Sequence, residues 1–181
     1  SRGLGDVYKR QTGESFKKQL LSTNIGRIDK KRNFTLLGKE RHDIGRVEGD
    51  NYSVAYPVRA IRTDEYLYIR NLISSRWPVG NPEYGFLNCD NSPTKKIILG
   101  LKDDKTLGEY YEISFGKRPF EELYKVYDDP DCINNLSNKS TYKKIKDSLW
   151  IKLRQNLVDQ EDPRIMGKGE IFDYYPYSRI P

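Results

Sequence analysis

Lys39, Glu40, Arg41 and His42 place four ionisable groups in a row within the loop Gly38–His42, and His42 is the single histidine of the chain. They follow Phe34–Leu37, a short apolar run bounded by Asn33 and Gly38 that reads as a buried strand. Residues just beyond a strand commonly project into the ligand crevice of an α/β protein. Arginine offers a planar fork to oxyanions and histidine carries charge near neutral pH, so this loop suits an anion. A solvated polar loop is the competing reading of the same residues.

Other chemistry-bearing residues point elsewhere. Asp103-Asp104 and Asp128, Asp129 and Asp131 offer oxygen ligands, but they lack the central Gly and terminal Glu of a calcium loop and suit turns better. Cys89 and Cys132 are far apart and form no CxxC pair, which argues against zinc and leaves one bridge optional. The basic residues Lys30, Lys31, Arg32 and Lys143 to Lys146 are interleaved with acids, and no nucleic-acid signature accompanies them. They read as solvated faces. Asn33, Asn51, Asn135 and Asn138 head Asn-x-Ser/Thr triplets, which are acceptors only where the source glycosylates.

The elements that must position these groups are mostly β-structure followed by one helix. Of 181 residues, 36% are hydrophobic and 32% charged, and fourteen Tyr with six Phe supply the aromatic mass of a folded chain. No apolar run is long enough for a membrane span, and no secretory leader is visible. Val58–Thr63 and Tyr66–Asn71, separated by Asp64-Glu65, predict an antiparallel hairpin. Leu72 to Leu107, broken by Pro and Gly, reads as a long irregular excursion. Glu121–Tyr127 is a third strand, closed by the turn Asp128-Asp129-Pro130. Ser140 is the expected N-cap of an amphipathic helix whose stripe is Tyr142, Ile145, Leu149, Leu153 and Leu157, ending before Asp162-Pro163. Phe16, Leu20 and Leu21 suit a short helix, and Tyr174, Tyr175 and Tyr177 are expected to clamp the tail onto the body.

Ser1–Gln11 (SRGLGDVYKRQ) contains DVYKRQ, the translation of a common library-adaptor end, and is set aside from fold reasoning. Its Arg2, Lys9 and Arg10 against Asp6 contribute +2, so the net charge falls from +6 to +4 without it. That start implies a frame opened mid-gene.

Three strings carry a family resemblance: NFTLLGKERHD, then YPVRAIRTDEYLYIRN (Tyr56–Asn71), then FGKRPFEELYKVYDDPDCINNL (Phe115–Leu136). With TGESFKKQLL ahead, RWPVGNPEYG between and DPRIMGKGEIFDYYPY after, the chain resembles the C-terminal part of heparan N-sulfatase-like sulfatases over Thr12–Tyr177. The resemblance implies an α/β parent of alkaline-phosphatase-like fold. This chain would be its α+β fragment, a small antiparallel sheet packed on a C-terminal helix. Residues 12–50 would close the main domain and 51–181 would form the C-terminal subdomain. Phe34–Leu37 would then be an orphaned strand of the missing sheet.

The resemblance also implies a parent that hydrolyses sulfate from sulfated sugars of the heparan type, using calcium and a formylglycine made in a C-x-P-S-R signature. Neither NCDNSP around Cys89 nor DCINN around Cys132 continues that way, so the fragment is expected to be inactive and to bind no cofactor. By resemblance the junction loop walls the substrate cleft, which makes Glu40, Arg41 and His42 the expected substrate contacts. Arg59 and Arg62 are alternatives, expected rather to pair with acids. The implied partners are a sulfated carbohydrate and the missing N-terminal catalytic domain, with no nucleic acid and no membrane. The implied compartment is periplasm, exterior or lysosome. A free-standing module for anionic polysaccharide is the alternative.

Overall fold

The computed structural model describes residues 13–41, 45–50 and 53–175, so His42, Tyr177 and the segment Ser1–Gln11 lie outside the described residues. The chain divides at Asn33/Phe34 into two units. In the first, α1 (Lys17–Leu20) is a single turn whose neighbours Phe16 and Leu21 are exposed. Arg32 ties this unit together, donating to the Ser15 carbonyl at 2.8 Å and pairing with Asp29 at 3.3 Å. The expected apolar helix face is therefore not buried there.

The second unit is built on a four-stranded antiparallel sheet in the order β1 (Phe34–Lys39), β2 (Val58–Thr63), β3 (Tyr66–Asn71) and β4 (Glu121–Lys125). The β2–β3 hairpin has the bounds its composition predicts. Its turn closes on Thr63, whose Oγ1 accepts from the Tyr66 amide at 3.1 Å. β1 corrects an expectation. It pairs along its whole length with β2, so it belongs to this sheet and not to a missing one. As an edge strand it is also mostly exposed, with only Phe34 and Leu36 half-buried and Leu37 49% exposed.

Strand pleating sends alternate residues to opposite faces. The register aligns Leu36, Ile61, Tyr68 and Leu123 in one row across all four strands. That row packs against α4 (Lys143–Asp159) through Leu149, Leu153 and Leu157, whose three- and four-residue spacing keeps them on one stripe. The helix begins after a 3-10 turn at Ser140–Tyr142, and Ser140 makes no capping bond, contrary to expectation. The opposite face carries a buried polar group. Glu122 accepts from Asn71 at 2.7 Å and pairs with Arg118, and Tyr124 donates to it.

The stretch expected to be irregular contains α2 (Pro93–Gly100), and α3 (Gly108–Phe115) follows it. Ser92 caps α2, its Oγ accepting from the Lys95 amide at 3.0 Å, and Pro93 starts it with a preset φ. Phe86, Tyr111 and Phe115 form a second core there, with the Phe86 and Phe115 rings 4.9 Å apart. Buried Arg46 staples the loops around it, donating to the carbonyls of Trp77, Val54 and Pro78 at 2.7–3.1 Å. Tyr174 of the tail, which begins with α5 (Ile171–Tyr174), is 77% exposed and does not clamp, whereas Tyr175 is tied down by its carbonyl, which accepts from Arg41 at 2.8 Å, and by its ring, 5.8 Å from that of Phe172. Phe172 itself docks under the Arg164 guanidinium at 5.4 Å.

Candidate functional site

The last pair of the β1–β2 ladder is Lys39 with Val58, so Glu40 emerges directly from the sheet end. Its carbonyl still accepts from the Tyr56 amide at 2.7 Å, which fixes where the following loop departs. The Glu40 carboxylate is engaged twice: by Arg59 Nη2 at 2.6 Å and by Arg164 at 3.1 Å. Arg59 Nε in turn donates to Asp162 Oδ2 at 2.8 Å. Arg164 reaches Asp173 at 3.6 Å, and Arg76 closes the chain, pairing with both Asp173, at 3.1 Å, and Glu48.

This lattice of three arginines and four carboxylates ties the sheet end to the segment after α4. Burial pulls the Arg59 guanidinium down, but hydrogen bonds and charge from Asp162 and Glu40 more than offset it and leave its pKa raised. Asp173 Oδ1 also accepts from the Ala55 amide at 2.7 Å, so the lattice holds backbone as well as charge. Arg59 thus pairs with acids, as expected for a strand arginine. Arg62 does not: it is half-buried and forms no ion pair among the described residues.

Of the three expected substrate contacts, Glu40 and Arg41 come together here, and His42 lies outside the described residues. Glu40 has its oxygens occupied by two guanidiniums, so it positions the loop. Arg41 differs. Its Nη1 donates to the carbonyls of Ser53 at 3.1 Å and Tyr175 at 2.8 Å, and it meets no carboxylate among the described residues. A guanidinium has five donors, so Arg41 keeps charge and donors for an oxyanion.

Sequence reasoning missed Arg76, Arg164 and Asp173. Each is a lone charged residue in a segment without period, and only the fold brings them within reach of Glu40. The one available signal was Asp162-Pro163-Arg164, a helix stop followed by a cation.

The acidic runs do turn work. Asp104 Oδ1 accepts from the amides of Thr106 and Leu107 at 2.8 Å, and Asp129 from those of Ile133 and Asn134 at 3.1 and 2.8 Å. Among the described residues no three His, Cys, Asp or Glu gather closely enough to hold a metal ion. Cys89 and Cys132 are both free, and burial, with the charge of Asp129, pushes the Cys132 thiol up. No helix among the described residues is long and apolar enough to cross a membrane. Compared with known families and curated proteins, the chain matches no family model and no curated sequence.

Proposed function

We propose that this chain is the C-terminal part of a sulfatase of the heparan N-sulfatase-like group, whose parent removes sulfate from a sulfated sugar of the glycosaminoglycan type. The observation that carries the reading is the ordered run of motifs from NFTLLGKERHD to DPRIMGKGEIFDYYPY. A four-stranded antiparallel sheet crossed by a C-terminal helix supports it, because that is the architecture those motifs imply.

In this reading the chain contributes a wall of the substrate cleft. Arg41, with His42, contacts the sulfate or the sugar, and Glu40 holds their loop to Arg59 and Arg164. The parent's formylglycine would arise in a C-x-P-S-R signature, which neither Cys89 nor Cys132 heads. The chain alone is inactive.

Reading the in-frame coding sequence upstream of Thr12 tests this. A C-x-P-S-R signature is the expected result. A genuine start codon close to Thr12 would replace the enzyme with a free-standing module for anionic polysaccharide.

A further inference from the structure

We propose that a cleft on the α4 side of the sheet is a second binding site, taking the sulfate group of a sulfated saccharide. The saccharide part of this inference rests on the sulfated-sugar reading above; the anion part rests on the cleft alone. The cleft has a volume of about 450 Å³, within the range of ~300–1,000 Å³ typical of ligand pockets. It opens where the end of β3, one face of α4 and the segment after α4 meet.

Its charge is one-sided. Arg70, Arg154 and Arg164 line it against a single carboxylate, Glu170, which is exposed. Arg164 is spent on Glu40 and Asp173. Arg70 is not fully spent: Glu121 accepts from it at 3.1 Å and also pairs with Lys146 at 2.8 Å, so one carboxylate serves two cations. Arg154 is exposed on α4 and its side chain has no ion pair or hydrogen bond among the described residues. With Arg164 paired, the positive surplus rests on Arg70, which shares Glu121 with Lys146, and on Arg154, which faces only the exposed Glu170; guanidiniums so placed recognise oxyanions.

Its shape suits a ring rather than a bare ion. The Arg70 guanidinium stacks on Trp150 at 3.9 Å and on Phe120 at 4.3 Å, which holds it in one orientation. Phe120 is still 45% exposed, so apolar ring surface lies beside the cations. Gly167 forms part of the wall, and a Cβ added there would meet no atom within 4 Å. The wall is therefore bare backbone that a ligand can approach closely. A pyranose with one anionic substituent matches this pairing of apolar surface and free guanidinium.

The test is calorimetric titration of the full 181-residue chain with a sulfated heparin disaccharide and with its desulfated counterpart. The sulfated sugar should bind and the desulfated one should not. Arg154→Ala should weaken binding about tenfold, the worth of one charge-assisted hydrogen bond. Glu170→Gln should tighten it about twofold to threefold by removing the one opposing charge. A gain of affinity cannot come from misfolding, so the two variants together separate the site from a folding defect. Equal binding by Arg154→Ala and wild type, or equal binding of both sugars, would overturn the proposal. The sulfatase reading fails separately: an upstream frame without the signature leaves Arg154-dependent binding intact, whereas a signature with Arg154-independent binding removes only the cleft.

Discussion

Arg59 on β2 and Arg70 on β3 stand directly opposite each other on the face of the sheet that meets α4. Like charges in that relation repel unless each is drawn off by its own acids. Arg59 turns to Glu40 and Asp162, at 2.6 and 2.8 Å, and Arg70 turns to Glu121 and the rings of Phe120 and Trp150. One repulsive pair thus organises two places: the lattice that holds the Glu40–Arg41 turn, and the cationic cleft beside α4.

Arg59→Ala should lower the unfolding free energy by about 3 kcal/mol, because it strips a buried cation from two largely buried carboxylates. Arg41→Ala, which among the described residues loses only bonds to carbonyls, should cost about 1 kcal/mol. Urea denaturation of the two variants side by side checks the ordering. Equal costs would mean the lattice does not bear on stability.

Acid should destabilise the fold through Glu122. Burial raises its pKa, but Arg118, Tyr124 and Asn71 donate to the carboxylate and the net effect is a lowered value. A carboxylate depressed in the folded state adds stability above its unfolded value, here 4.5, and loses it as pH falls through the folded value. Unfolding midpoints measured from pH 6 downward, to about 2, should therefore drop in that acid window. In Glu122→Gln the drop should be shallower, from a lower starting stability.

Leu153 lies fully buried at the centre of the α4 stripe. Leu153→Ala should cost about 3 kcal/mol through lost transfer energy and the cavity left behind. Ile151, 68% exposed on the other side of the same helix, should tolerate Ala with a change of about 0.5 kcal/mol or less. Thermal unfolding distinguishes them.

Two glycines after α4 should respond differently to alanine. At Gly169 a Cβ would overlap Arg164 Cδ and sit 3.0 Å from its Cα, so the Arg164 side chain must shift. At Gly167 there is room, and only the φ of +73° is strained. Gly169→Ala should cost about 2 kcal/mol, and a Glu40→Gln background should shrink that cost. Gly167→Ala should cost about 1 kcal/mol in either background. Double-mutant cycles from urea melts provide the measurement.

Periodicity was enough for the hairpin and the α4 stripe, because Ile61, Tyr68, Leu149 and Leu153 each obey a local rule. It failed in the excursion, where Pro93 and Gly100 looked like breakers although they bound a helix that Ser92 caps. It also failed for β1: the run Phe34–Leu37 is apolar enough for a central strand, yet edge position leaves half of it exposed. At the site, Glu40 and Arg41 were legible because they sit together after a strand. Asp162, Arg164 and Asp173 contribute from more than a hundred residues away, and no local pattern connects them to Glu40.

The most direct test of the sulfatase reading is sulfate release by the protein assembled from this chain and its upstream partner sequence, with a sulfated heparan-type saccharide as substrate. Measurable release, with KM raised about tenfold by Arg41→Ala, is the predicted result. No release from any sulfated saccharide by the folded, assembled protein would contradict it.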